Sequence, residues 1–287
     1  MNRLDQKLEQ LKLENRSGLV CYFTAGDPNF AESCRLLSQL GQAGADIIEV
    51  GIPFSDPVAD GEIIQAAHLR ALGAGQTVKQ TIELVKVIRL HDDQTPIIFM
   101  TYLNPIMQYG FKTLIDETEN LIDGILILDA PYGYRENFEV QLNEKNMHLI
   151  VMTAPTTPVE RLEQISTRAT GFLYHVAENG LTGGDFNLSN LEKKMTEIKP
   201  IFNIPVAIGF GIKNESHVKA LANKVDLIII GSALVDTFFN KGMNATLEKI
   251  TVFSQILREI FLKVGKHHFF FQFRCINFWS VKGLIKF

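Results

Sequence analysis

Eight short apolar runs, each closed by a polar turn, constrain this 287-residue chain more than any other feature. They are "GLVCYF" (18–23), "ADIIEV" (45–50), "PIIFMT" (96–101), "GILIL" (124–128), "HLIVMT" (148–153), "GFLYHV" (171–176), "PVAIGF" (205–210) and "DLIIIG" (226–231). Near-continuous apolar strands belong to a parallel sheet covered by helices on both faces. Eight successive β/α units can close on themselves, which predicts an α/β fold, a (β/α)8 TIM barrel. A doubly wound open sheet is the competing architecture, but the Gly-rich first turn of a dinucleotide site is missing here. The intervening helices look ordinary: "TVKQTIELVKVIRL" (77–90) sets Ile82, Val85 and Ile88 at helical spacing, as core positions. At the start of the chain, Leu4, Leu8 and Leu11 share one face among charges. This predicts an extra N-terminal helix that docks on the barrel rather than a signal peptide.

A single barrel domain is expected over residues 1–263, followed by an atypical aromatic and basic tail, 264–287. That tail reads either as a docking element or as a frameshifted terminus. A hydrophobic content of 46% supports a large core. The net charge of −4 provides no basic stripe, so nucleic acid is not expected as a partner and any anionic ligand must be held by local groups. Cys21, Cys34 and Cys275 are odd in number and lack metal-type spacing. That suits a reducing compartment, the cytoplasm, with no metal site. No stretch is long and apolar enough for a bilayer, so no membrane association is expected.

In such a barrel the chemistry sits at the C-terminal ends of the strands. "EVGIPFSDPVADG" (49–61) falls there. Strand parity sends Ile47 and Glu49 to one side and Ile48 and Val50 to the other. If Ile47 fills the barrel, Glu49 points into its mouth, where apolar walls raise a carboxyl pKa and let it carry a proton near neutrality. The alternative is an ion pair across the barrel, but no basic residue ends a neighbouring strand. Asp60 on its own reads as a turn and helix start. A second constellation gathers glycines at strand ends: "ENGLTGGD", "IGFGIKN" and "IIGSALV" contribute Gly183, Gly184, Gly209, Gly211, Gly231 and Ser232. Exposed amides there, with Ser232 opening a helix, suit a phosphate.

"CYFTAGDP" (21–28), "EVGIPFSDPVADG", "FMTYLNP" (99–105), "NGLTGG" (179–184), "GFGI" (209–212) and "GSALV" (231–235) together resemble the tryptophan synthase α chain family, in order and spacing, from about residue 2 to 260. The resemblance implies a lyase of tryptophan biosynthesis that cleaves indole-3-glycerol phosphate to indole and glyceraldehyde 3-phosphate. It makes Glu49 and Asp60 the catalytic pair, places Tyr174 beside the substrate side chain, and lines the indole pocket or its rim with Tyr22, Ile64, Met100 and Phe210. Ile64 and Met100 suit plain barrel packing equally well. Thr182 would close over the site and help set Asp60, while Gly183, Gly184, Gly211, Gly231 and Ser232 would hold the phosphate. The resemblance also implies a β-chain partner in an α2β2 complex, facing loops around Asp56, Asn104–Gln108 and Pro131. Pyridoxal phosphate would sit on that partner, with no cofactor in this chain.

Several positions differ from the family's usual pattern: Glu62 follows Gly61 where proline is common, Ala177 and Glu178 replace a serine and an arginine, and Gly133 and Tyr134 replace two acids. Two other functions share these motifs. One is a stand-alone lyase that releases indole, and the other is a weakly active subunit that mainly activates a β chain.

Overall fold

The computed structural model describes residues 1–131, 136–176, 188–209 and 211–277. Eight parallel strands close into a barrel in sequence order. They are β1 (Gly18–Thr24), β2 (Ile47–Gly51), β3 (Ile97–Thr101), β4 (Gly124–Ile127), β5 (His148–Thr153), β6 (Leu173–Val176), β7 (Val206–Gly209) and β8 (Leu227–Ile230). Each falls within or beside one of the eight apolar runs, because a strand buried on both faces has no polar alternation to disguise it. The first half of the outer layer comprises α1 (Arg3–Leu13), α2 (Phe30–Leu37), α3 (Leu40–Ala43), α4 (Glu62–Gly73), α5 (Val78–His91) and α6 (Leu103–Tyr109). The second half comprises α7 (Phe111–Thr118), α8 (Glu136–Glu144), α9 (Val159–Ser166), α10 (Leu188–Ile198), α11 (Glu215–Leu221) and α12 (Ser232–Asn277).

The pairing register fixes which side chains enter the barrel. Val20 pairs with Ile47, Tyr22 with Glu49 and Thr24 with Gly51. Glu49 in turn pairs with Ile98, and Gly51 with Met100. Phe23 turns the other way and meets Phe238 of α12 edge-on, with ring centroids 6.1 Å apart. Its neighbour Tyr22 therefore points inward, and so do its register partners. On the outer face, Ile82, Val85 and Ile88 of α5 are fully buried against the core.

The N-terminal helix seals the opposite end. Leu4 and Leu11 are buried and Leu8 packs against the core. Polar contacts fix its position: Asn2 caps α1 and donates to the carbonyls of Asp123 and Asn146, each at 2.9 Å. The buried carboxylate of Asp123 accepts from the Arg3 and Ile97 amides and from the guanidinium groups of Arg3 and Arg89. Nearby, Arg16 and Asp46 form a fully buried bidentate pair, both bonds 2.8 Å, and the Leu19 amide donates to the same carboxylate at 2.9 Å.

α12 breaks at Gly242, whose φ of 78° lies in the left-handed region. Lys249 ties the two segments together, donating to the Ala233 carbonyl and the Thr237 hydroxyl at 3.0 Å. The sequence of the tail lacks a clean helical period, yet its backbone continues α12 as far as Asn277. Extending an anchored helix requires no new nucleus, so propagation past residue 263 needs little from the pattern. Residues 278–287 lie outside the described part.

Candidate active site

Glu49 sits on β2 at the mouth of the barrel, completely buried. Neither of its carboxylate oxygens has a hydrogen-bond partner among the described residues. Burial alone pushes its pKa up to about 8, so the group is mostly protonated at neutral pH. The parity argument for strand 2 thus matches the register.

Asp60, which on its own reads as a turn and helix start, is buried. It is 7% exposed, beneath Tyr102 and His68. The Tyr102 hydroxyl donates to Asp60 Oδ2 at 2.7 Å while accepting the Ala59 amide at 3.0 Å, which pins the loop from the end of β3. Asp60 Oδ1 is buried without a partner among the described residues. Burial raises the Asp60 pKa to about 6, against the lowering effect of the Tyr102 bond. The two acids are therefore split: at pH 7 Asp60 is mainly ionised and Glu49 mainly neutral.

Two tyrosines face this pair. Tyr22 and Tyr174 are buried, and their phenols are pushed well above the usual value. Burial is the largest cause for both, followed by Asp60 for Tyr22 and by Glu49 and then Asp60 for Tyr174. Each ring needs a glycine beside it. A β-carbon on Gly51 would collide with the Tyr22 hydroxyl, and one on Gly209 with the Tyr174 hydroxyl. Gly231 sits against Tyr22 and Ile64, whose nearest carbons lie 3.4 and 3.5 Å from where its β-carbon would be. Met100, 7% exposed, enters from β3 in register with Gly51. Tyr22, Glu49, Ile64, Met100, Tyr174 and Gly231 thus converge on one mouth.

At the rim, Ser232 begins α12, and the Gly231 carbonyl accepts the Leu234 and Val235 amides. Gly211 has a φ of 79°, and no described residue lies within 4 Å of where its β-carbon would be. Phe210, Thr182, Gly183 and Gly184 lie outside the described residues, as do Ala177, Glu178, Gly133 and Tyr134. Glu62 is exposed at the first position of α4.

Two members of the site were not singled out from the sequence, Tyr102 and His68. Tyr102 follows β3 directly, inside the "FMTYLNP" stretch, and a tyrosine at a strand's C-terminal end was the available signal. His68 lies four residues after Ile64 on the buried face of α4, an apolar position filled by a polar ring.

A closed parallel barrel with two differently tuned carboxyl groups at its mouth is a (β/α)8 barrel with a candidate acid–base site. Residues 8–260 match the family described as tryptophan synthase alpha chain. The chain resembles the crystal structure of tryptophan synthase subunit alpha from Legionella pneumophila str. Paris, with 33% identity, a TM-score of 0.84, and 90% of this chain and 99% of that one covered. It also resembles tryptophan synthase from M. tuberculosis in its aminoacrylate-bound form, with 26% identity, a TM-score of 0.81, and 90% and 100% covered. The chain belongs to the tryptophan synthase α chain family, which serves tryptophan biosynthesis and catalyses the cleavage of indole-3-glycerol phosphate.

Proposed function

We propose that Glu49 is the acid and base of this cleavage and Asp60 its electrostatic partner. The observation that carries the assignment is the Glu49 carboxyl group, fully buried in the barrel mouth with both oxygens unpartnered among the described residues. A group left this way is free to act on a ligand. Neutral Glu49 delivers its proton to indole C3. The positive charge that develops at N1 is held by ionised Asp60, whose free Oδ1 accepts the indole N–H. Glu49, now a carboxylate, takes the proton of the glycerol hydroxyl next to the ring. The carbon–carbon bond breaks, its electron pair returns to the ring, and indole and glyceraldehyde 3-phosphate leave with Glu49 protonated again.

Tyr22, Ile64 and Met100 form an apolar wall suited to the indole, and Tyr174 reaches the side-chain end from β6. The phosphate is assigned to Gly211, Gly231 and Ser232 at the start of α12, where amides and the helix dipole favour an anion; Gly183 and Gly184 belong to the same assignment. A valine at Gly211 would have to adopt a left-handed φ, which moves the local backbone. Gly211→Val is expected to raise KM at least tenfold with a smaller change in kcat, and an unchanged KM places the phosphate elsewhere.

The kcat/KM profile is expected to fall above a basic limb near pH 8, where Glu49 loses its proton. An activity still rising at pH 9 overturns the assignment. The acid limb near pH 6 combines Asp60 with the substrate phosphate, whose second ionisation also lies near 6.

A tryptophan synthase β chain is the proposed partner, in an α2β2 complex, with pyridoxal phosphate carried by that partner. Val58, 80% exposed beside Asp56, and Met107, 46% exposed between Asn104 and Gln108, supply apolar contact for it. Turnover of indole-3-glycerol phosphate by the isolated chain, with and without a β chain, tests this against a stand-alone lyase. Among the described residues no helix is long and apolar enough to cross a membrane; a cytoplasmic home is proposed on composition. Residues 1–263 are proposed as the catalytic domain. Removal of 265–287 is expected to leave the melting temperature and cleavage rate unchanged, and a fall of several degrees makes the tail part of the folded unit.

A further inference from the structure

We infer that His68 is a positioning residue for Asp60: together with Tyr102 it occupies the Oδ2 side of that carboxylate, so that Oδ1 is the oxygen presented to the substrate. The inference rests on the proposed role of Asp60.

A chain of hydrogen bonds with a defined direction carries the argument. The Phe54 backbone N–H can only donate, and it donates to His68 Nδ1 at 3.0 Å. A neutral ring that accepts at Nδ1 must carry its proton on Nε2. Nε2 lies 3.2 Å from the Tyr22 hydroxyl and 3.8 Å from Asp60 Oδ2. Its N–H therefore donates to Tyr22, whose hydroxyl also shares a hydrogen bond with Thr24 Oγ1 at 3.1 Å. The same N–H dipole turns its positive end toward Asp60 Oδ2. The groups facing His68 are Tyr22 from β1, Asp60 from the loop after β2, and Tyr102 before α6, whose ring meets it edge-on at 6.5 Å.

His68 is 2% exposed, and burial holds its pKa near 4. It stays neutral across the working range and takes no proton from Asp60. Its effect is geometric and electrostatic: one oxygen of Asp60 is held by the protein, and the carboxylate keeps its charge despite burial.

The test reads Asp60 directly. Carbon-13 NMR titration of aspartate-labelled protein reports its pKa, with the signal assigned by its loss in Asp60→Asn. In His68→Leu the Asp60 pKa is expected to rise, and kcat is expected to fall about 10- to 100-fold. The same substitution in the Asp60→Asn background is expected to add less than threefold, because its target is already gone. Tyr22→Phe, which removes one hydroxyl and keeps the ring, leaves Asp60 as the remaining acceptor for Nε2–H, so the Asp60 pKa is expected to fall. An Asp60 pKa that stays in place in both His68→Leu and Tyr22→Phe overturns the inference, as does full additivity with Asp60→Asn. Should His68→Leu fail to fold, Tyr22→Phe decides alone: a pKa unmoved or raised overturns the inference. Undiminished cleavage by Asp60→Asn refutes the role given to Asp60 itself, while the titrations still report on His68.

Discussion

Replacing Glu49 by glutamine is expected to abolish cleavage and to make the protein more stable. An amide cannot give and retake a proton, and general acid–base catalysis is normally worth about 10²- to 10⁴-fold, so kcat should fall by at least two orders of magnitude. Turnover above a hundredth of wild type would remove Glu49 from its proposed role. Stability is the sharper readout, because its size depends on pH. Below about pH 4.5 the carboxyl is protonated in folded and unfolded chains alike, and burial carries no ionic penalty. Between 4.5 and about 8 the unfolded chain ionises while the folded one keeps its proton, so wild-type stability falls as pH rises. The displacement from 4.5 to about 8 corresponds to roughly 5 kcal/mol at about 1.4 kcal/mol per tenfold change in proton affinity, which is an upper figure once relaxation is allowed. Glu49→Gln is therefore expected to melt above wild type at pH 9 by up to about 10–20 °C, at about 2–4 °C per kcal/mol, and to match it near pH 4.5. Equal melting temperatures at both pH values would mean that the carboxyl is not desolvated as its surroundings imply.

The second large effect lies at the other end of the barrel and concerns folding alone. Asp46→Ala removes a carboxylate held by two 2.8 Å bonds to Arg16 and one from the Leu19 amide. The Arg16 side chain is only 2% exposed, so its charge cannot turn out to water and is left with Glu14 as its other acidic partner. Breaking one side of a buried pair typically destabilises by about 3–5 kcal/mol. A melting point lowered by roughly 6–20 °C is the expected result. Replacing both residues together with apolar groups should recover much of the loss, because no orphaned charge remains. A double variant as unstable as Asp46→Ala would show that the pair is worth more than its desolvation.

The barrel was legible because strand burial writes itself directly into composition: "ADIIEV" and "DLIIIG" need no partner to be recognised as strands. Glu49 could be aimed correctly for a similar reason, since side-chain alternation is local to β2. Asp60 could not. Its burial is made by Tyr102, 42 residues on, and by His68, two turns along the next helix. Neither contact leaves a trace near "PVADG", where the local pattern suggested a solvated turn. Tyr22 and Gly51 were similarly opaque as a pair. A glycine at the end of a strand has several uses, and only the register shows that this one, two residues beyond Glu49 on β2, clears space for the hydroxyl of Tyr22, the residue of β1 paired with Glu49.

Closure of the barrel in strict sequence order bears on how the chain leaves the ribosome. β1 pairs with β8, so the edge of Gly18–Cys21 has no partner until Leu227–Ile230 has been made. At about 5–20 residues per second, roughly 200 intervening residues take on the order of 10–40 s. Over that interval the growing sheet has two open parallel edges, and residues such as Val20 and Ile47, destined for the interior, have no wall to complete. Asn2 and Arg3 meet the same delay in milder form, since their acceptors at Asp123 and Asn146 emerge more than a hundred residues later. Chaperone demand should therefore concentrate on nascent chains that end before β8, and a stall placed ahead of residue 227 should leave a species prone to edge-to-edge association.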